Sequence, residues 1–466
     1  MATALIRNGT IVTHSGREAA DIYCEDGVVT RIGRGLTLPS ETVIDASGLL
    51  VMPGGIDAHT HLDMPAGDIV TTDDFETGTI AAAHGGTTTI IDFATPEPGE
   101  RLRSALDTWM AKADGKAVVD YGFHMVVRDA GARTLAEMGD LSRGEGVTSF
   151  KMFMAYPGRL MADDGAIFAA LVHTHEHGGL VMVHAENGGV IEVLVAEALR
   201  CGNTAPKFHA RTRPPRGEAE ATGRAIALAE MAGAPVFIVH VSCAEALDEV
   251  RRGRGRGVAA FAETCPQYLC LSDDEYDRGG FEAAKFVISP PLRPVPHQEA
   301  LWRGLAAGHI HTVGTDHCPF GLDRPPHKQR GRGDFSKIPN GAPGIETRLM
   351  LLWDSGVRSG RITPERFVEL TAAGPAKVFG LWPRKGAIAP GSDADIVLWN
   401  PEKMVVLSAS THHMRVDYSL YEGRVVTGAP ETVLSRGEVI IERDTFAGRR
   451  GRGRFLTRAA DWPTLE

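Results

Sequence analysis

Val51-Met52-Pro53-Gly54-Gly55-Ile56-Asp57-Ala58-His59-Thr60-His61-Leu62 is the stretch whose reading decides the fold. An apolar run enters it, and two imidazoles two residues apart leave it. In an extended chain such residues point to one face, so both rings can grip a single ion. H-x-H by itself is weak evidence, and its company changes the reading. Lys151 stands inside Val147-Thr148-Ser149-Phe150-Lys151-Met152-Phe153-Met154, His184 ends Leu180–His184, His240 ends Val236–His240, and Asp316 follows Ile310–Thr315. A barrel of parallel strands would gather these scattered ends on one rim, where the active sites of such barrels lie.

Outward from that stretch, similar apolar runs occupy Thr87–Asp92, Val118–Met125, Val147–Phe153, Leu180–His184, Val236–His240, Val258–Glu263 and Ile310–Thr315. With Val51–Asp57 they make eight, separated by helical stretches. That alternation implies a parallel sheet covered on both faces. It predicts an α/β protein with a TIM-like (β/α)8 barrel over residues 54–386. The flanks follow a different grammar. Ala4-Leu5-Ile6-Arg7-Asn8-Gly9 and Asp21-Ile22-Tyr23-Cys24-Glu25-Asp26-Gly27 are short strands punctuated by Asn-Gly and Asp-Gly, which are hairpin signals. The pattern returns after Gly386, in Asp395-Ile396-Val397-Leu398-Trp399-Asn400 and Gly437-Glu438-Val439-Ile440-Ile441-Glu442. Segments 1–53 and 387–442 are expected to pair into one small β-sandwich domain, leaving 443–466 as a C-terminal tail.

The chain has 466 residues, 43% hydrophobic and 23% charged, which is ordinary for a soluble globular protein. A formal net charge of −10 argues against nucleic-acid binding. Two Arg-Gly tracts, Arg251-Arg252-Gly253-Arg254-Gly255-Arg256 and Arg449-Arg450-Gly451-Arg452-Gly453-Arg454, are short and lack interleaved aromatics. They read as a solvated loop and a flexible tail. Neither a signal peptide nor a bilayer-length apolar stretch is indicated. Six cysteines without a C-x-x-C pair fit a reducing, cytoplasmic setting. Cys318, next to Asp316-His317, reads as a small buried residue. No G-x-S-x-G elbow or phosphate loop occurs, so nucleophile-serine and nucleotide chemistry find no support.

Imidazoles and carboxylates suit zinc and similar divalent ions, and a metal with an open position is catalytic. A metal-dependent hydrolase is the resulting reading. Lys151 is the odd member, since an unpaired ammonium in an apolar run is costly. If CO₂ adds to the deprotonated amine, the carbamate becomes an anionic two-oxygen ligand able to bridge two metals. His184 and His240 would each offer an imidazole to the second ion. Asp316 could ligate one metal and exchange a proton with the nucleophile.

The full set of motifs resembles the dihydropyrimidinase/D-hydantoinase family, the cyclic-amide hydrolases of the amidohydrolase superfamily. The resemblance rests on Pro53–Leu62, on Phe150-Lys151-Met152-Phe153-Met154-Ala155-Tyr156 and on His184-Ala185-Glu186-Asn187. It rests equally on Ser289-Pro290-Pro291-Leu292-Arg293, Thr315-Asp316-His317-Cys318-Pro319-Phe320 and Pro339-Asn340-Gly341-Ala342-Pro343-Gly344-Ile345-Glu346. It implies that His59, His61 and Asp316 hold one metal and His184 and His240 the other, with carboxylated Lys151 bridging two Zn2+ ions. By the same likeness Tyr156 hydrogen-bonds the oxyanion, and Ser289 and Asn340 bind the ring's amide and imide groups, largely through their backbones. A homotetramer is also implied, with the C-terminal tail helping to join subunits. The substrate expected is a small cyclic amide: a 5,6-dihydropyrimidine such as dihydrouracil or dihydrothymine, or a 5-monosubstituted hydantoin, opened to an N-carbamoyl amino acid. Met64, Leu62 and Phe153 are candidates to face the ring's exocyclic substituent. Allantoin shares the –CO–NH–CO– edge and stays as an alternative, and a non-catalytic scaffold of the same fold is the rival from another class.

Overall fold

Eight strands pair in chain order in the computed structural model, which describes residues 3–460: Gly55–Thr60, Thr87–Ala94, Asp120–Val126, Ser149–Phe153, Leu180–His184, Val236–Ile238, Ala260–Thr264 and Thr312–Val313. Every one of these pairings is parallel. The ring returns to its start through a parallel bridge between Thr60 and His317, where His61 N donates to His317 O at 2.9 Å. The fold is a TIM-like (β/α)8 barrel carrying a β-sandwich. Helices such as Leu102–Ala113, Asp164–His177 and Pro215–Ala232 cover the outer face. Inside, Ile56, Ile91, Phe93, Met182, Phe237 and Phe261 fill the barrel, and Phe379, Leu381 and Leu456 close this inner cluster.

The sandwich has two sheets. Val28–Gly33, Asp21–Glu25, Thr3–Arg7 and Thr42–Asp45 form one. The other contains Thr10–Thr13, Leu50–Pro53, Ile396–Leu407, Arg424–Ser435 and Glu438–Glu442, so both ends of the chain meet in it. Leu50–Pro53 pairs parallel with Thr10–Thr13 and antiparallel with Ile396–Leu407. Ile6, Ile11, Ile22, Val29, Val51, Ile396 and Leu434 share the core between the sheets.

Two expectations need correcting. Val51–Asp57 is not one strand: Leu50–Pro53 belongs to the sandwich and Gly55–Thr60 to the barrel. Gly54 is the break, and a Cβ there would lie 2.1 Å from Thr88 Oγ1, so the strand change needs glycine's close approach. The Arg-Gly tracts are not a solvated loop and a flexible tail either. The first lies on the helix Ala244–Gly255, where Arg254 donates to Gly308 O at 2.8 Å. The second docks on the barrel: Gly453 N donates to Ala117 O, Arg454 N to Asp120 Oδ1, and buried Arg452 reaches Val118 O and Ser435 O. The tail expected at a subunit contact continues into residues 461–466, which lie outside the described residues. Among the described residues, no helix is long and apolar enough to cross a membrane.

Candidate metal centre

At the C-terminal ends of the barrel strands, one cavity of about 620 Å³ is lined by His59, His61, Lys151, Tyr156, His184, His240, Ser289, Asp316 and Asn340. All nine residues singled out from the sequence thus face one space. Met64 and Phe153 line it as well, whereas Leu62 is fully buried in the core beside Gly78 and cannot touch a ring substituent. Cys318 is buried, as expected, and forms part of the cavity wall.

The donor atoms fall into two groups. Asp316 Oδ1 lies 3.1 Å from His59 Nε2 and 3.2 Å from His61 Nε2. These three residues form a cluster whose ligand atoms all lie within 4.8 Å of one another. Ligands sharing one tetrahedral ion at about 2.0–2.2 Å stand roughly 3.3–3.5 Å apart, so the spacing fits. His59 Nε2 makes no well-aimed hydrogen bond despite its distance to Asp316, as suits a lone pair aimed at a cation. In the second group, His184 Nδ1 and His240 Nε2 face each other at 2.9 Å. Burial, with His184 and Lys151 adding, holds the His240 ring well below its ordinary value and therefore neutral, the form in which imidazole ligates metal.

Between the groups stands Lys151, 1% exposed. Its Nζ lies 4.8 Å from the centre of the Phe93 ring and 5.0 Å from that of Phe153. Burial pulls its ammonium down to about 8, while Asp316 and Glu263 oppose the shift. An amine tuned in this way keeps a larger share of the neutral form that reacts with CO₂.

Four carboxylates that sequence reasoning had not singled out surround these candidate ligands. Glu263 Oε1 approaches His59 Nδ1 at 2.5 Å and Glu186 Oε2 approaches His184 Nε2 at 2.9 Å, leaving the opposite ring nitrogen of each to the cavity. Such partners fix ring orientation and raise ligand basicity. Asp57 takes the Thr315 hydroxyl at 2.6 Å, and Asp92 takes the Thr60 hydroxyl at 2.7 Å and Leu62 N at 2.8 Å. Glu263 and Glu186 each carried a signal: the first closes a barrel strand, the second follows a candidate ligand by two residues. Tyr156, His240 and Asp316 also have φ of 66°, 39° and 53°. Non-glycine residues in this region cost free energy and cluster at functional sites.

Opposite the donors, Tyr156 meets Ser289 and Asn340. Burial pushes its phenol above the ordinary value, Glu186 adds to this, and hydrogen bonds with Ser289 and Asn340 work the other way. Asn340 Nδ2 donates to Ser289 Oγ at 3.0 Å. His317 fixes the loop that follows: Gly344 N donates to its Nδ1 at 3.1 Å, and its Nε2 stands 3.1 Å from Asp73.

A parallel (β/α)8 barrel with a two-histidine strand end, a buried lysine and an aspartate just past its eighth strand defines a class of metal-dependent hydrolases. The profile of the amidohydrolase family matches residues 50–440, and the chain belongs to that family. It is similar to the D-hydantoinase of Streptomyces coelicolor, 53% identical over 460 residues that span 98% of both chains. The crystal structure of dihydropyrimidinase from Brevibacillus agri NCHU1002 superposes with a TM-score of 0.97 at 50% identity, covering 98% of this chain and 99% of that one. An L-hydantoinase (dihydropyrimidinase) from Arthrobacter aurescens is more distant, with 31% identity and a TM-score of 0.90 over 98% of this chain and all of its own. Membership of the family implies a binuclear divalent-metal site, and His59, His61 and Asp316 form a group able to hold one of its ions.

Proposed function

We propose that this cyclic-amide hydrolase opens 5,6-dihydropyrimidines and 5-monosubstituted hydantoins to N-carbamoyl amino acids, using two Zn2+ ions. The supporting observation is the single cavity that gathers both donor groups, Lys151, and the Tyr156–Ser289–Asn340 wall. The relatives add weight, since proteins about half identical over nearly the whole chain carry both the D-hydantoinase and the dihydropyrimidinase names. Greater similarity to the D-acting relative than to the L-acting one favours the D-enantiomer. A homotetrameric assembly belongs to the same proposal. The scaffold reading lacks support, because a protein freed from catalysis has no reason to keep the complete donor set.

His59, His61 and Asp316 would hold one ion, His184 and His240 the other, and Lys151 as its carbamate would supply a two-oxygen ligand carrying a single negative charge. Carbamate formation joins the neutral amine to CO₂ and releases one proton. When bound, the ions supply a nucleophile from water near neutral pH and polarise the scissile carbonyl. The protein's own groups do the rest. Ser289 and Asn340 hold the –CO–NH–CO– edge so that one carbonyl points at the donors. Tyr156 donates to the oxygen that gains charge as the tetrahedral intermediate forms. Asp316 takes the nucleophile's proton and delivers it to the ring nitrogen as the C–N bond breaks. Two ring classes share that edge, and one site can therefore serve both.

Initial rates of ring opening by the zinc-loaded protein, on dihydrouracil, a racemic 5-substituted hydantoin and allantoin in parallel, test the proposal. Turnover of dihydrouracil and of the D-hydantoin is the expected result. Silence on both with metals bound would refute the substrate class, and turnover of allantoin alone would move the reading to that ureide. Mass spectrometry of the loaded protein should find a carboxyl group on Lys151.

A further inference from the structure

Lys328 takes no part in the mechanism above, yet it is fully buried next to the cavity wall. It opens the short 3-10 turn Lys328–Gly331. Its Nζ donates to Val287 O at 3.2 Å and to Pro339 O at 3.1 Å. Burial pulls its ammonium down to about 7, and the Cys318 thiol works the other way. A cation held in the interior by carbonyl dipoles alone is costly, so its presence calls for a physical reason.

The identity of the two carbonyls supplies one. Val287 precedes Ser289 by two residues, and Pro339 precedes Asn340 by one. Val287 O also accepts from Gly341 N at 3.1 Å, and Lys328's own backbone N donates to Gly321 O at 3.0 Å, on the loop that follows Asp316. Two chain segments far apart in sequence thus converge on one side chain, and a third meets the backbone of the same residue, each within a few residues of a group assigned to ring binding or proton transfer. An ammonium suits this place because it offers three donors without a fixed plane, whereas a guanidinium fork would impose its own.

We propose that Lys328 is a positioning residue for the cyclic amide: its ammonium ties the Ser289 and Asn340 segments to each other and so sets the spacing of the backbone groups that grip the –CO–NH–CO– edge. The inference rests on the reading of Ser289 and Asn340 as ring-binding residues. Displacement of about 1 Å in such a grip can cost on the order of a hundredfold in rate. The proposed metal ligands lie outside the two segments whose carbonyls the Lys328 ammonium joins.

The test uses the metal-loaded full chain with Lys328→Met, which keeps length and apolar bulk but removes the donors. Lys328→Gln, which retains an N–H donor, serves as the second variant in case the first fails to fold. Steady-state kcat and KM for dihydrouracil are measured beside the inhibition constant of acetohydroxamate, a probe that needs the metals but not the ring grip. The expected result is a KM raised about tenfold or more and kcat/KM lowered by about a hundredfold. Metal content and the acetohydroxamate constant should stay within about twofold of the wild type, and the Gln variant should fall in between. Unchanged KM, or a hydroxamate constant that shifts in parallel with KM, would overturn the inference, the latter because it marks general collapse of the site. A wild type that opens no ring would defeat the functional proposal and this inference together, whereas an active wild type with an unaltered variant defeats the inference alone.

Discussion

At the scale of single residues, the groups proposed to hold metal stand apart in the cavity from those proposed to handle the ring, and substitutions should separate them too. Glu263 touches no substrate; it faces His59 Nδ1 and leaves Nε2 to point at Asp316. Glu263→Gln should therefore weaken metal binding by about 10–100-fold, read by chelator competition, while zinc in excess restores most of the turnover. Tyr156→Phe should do the opposite, keeping metal content while kcat falls by roughly a hundredfold or more. Loss of metal from the Tyr156 variant, or full affinity in the Glu263 variant, would sink the division of labour. The donors that line the cavity were legible in the sequence because, Lys151 apart, each closes or follows an apolar run, where the barrel geometry leaves a side chain only the rim. Glu263 was hidden as a partner because 204 residues separate it from His59, and nothing local to either predicts which ring nitrogen a carboxylate will take.

At the scale of elements, each barrel strand was readable as a short apolar run between helical stretches. The exception was Val51–Asp57, where hydrophobicity runs on across a change of sheet that only Gly54 marks. The entrance to the last strand shows how tightly neighbouring elements constrain a side chain. His311 precedes Thr312–Val313, its Nδ1 accepts from Ala262 N at 3.1 Å, and its ring stands 5.0 Å from that of Phe261. Burial first, then Arg254 and Arg366, pull the ring down to about 3. From pH 6.5 downward the unfolded chain binds this proton and the folded chain does not, so stability rises with pH in that window. The contribution is complete above about 6.5 and is lost as pH falls toward 3. His311→Gln should thus flatten the acid limb of the stability curve between pH 4 and 6, by at most one proton, or about 1.4 kcal/mol per pH unit. Denaturation midpoints measured across that range for both proteins would show the curves converging at low pH; parallel curves would refute the assignment.

At the scale of the whole molecule, the C-terminal segment straps the barrel and ties it to the sandwich. Phe455 bridges Tyr121 in parallel, Arg458 N donates to Gly146 O, and Ala459 N donates to Gly380 O. Arg452 meanwhile joins Val118 O of the barrel region to Ser435 O of the sandwich. The sequence concealed this because an Arg-Gly tract resembles a solvated tail. Its glycines serve close approach instead: a Cβ on Gly453 would lie 2.2 Å from Val119 O. The anchor is Arg458, 5% exposed, whose guanidinium reaches Ser149 Oγ at 2.8 Å and also Phe123 O. Burial alone pulls it down to about 9, so among the described residues no carboxylate offsets its charge, and its value lies in the acceptors it satisfies and the space it fills. Arg458→Ala removes both hydrogen bonds and leaves a hole, and should cost about 2–4 kcal/mol. Arg458→Met removes the buried charge while filling the space, so it should cost less. Denaturant midpoints of the two variants, compared with wild type, decide between these outcomes. A Met variant as unstable as the Ala variant would mean that the hydrogen bonds, rather than the packing, hold the strap to the floor of the barrel.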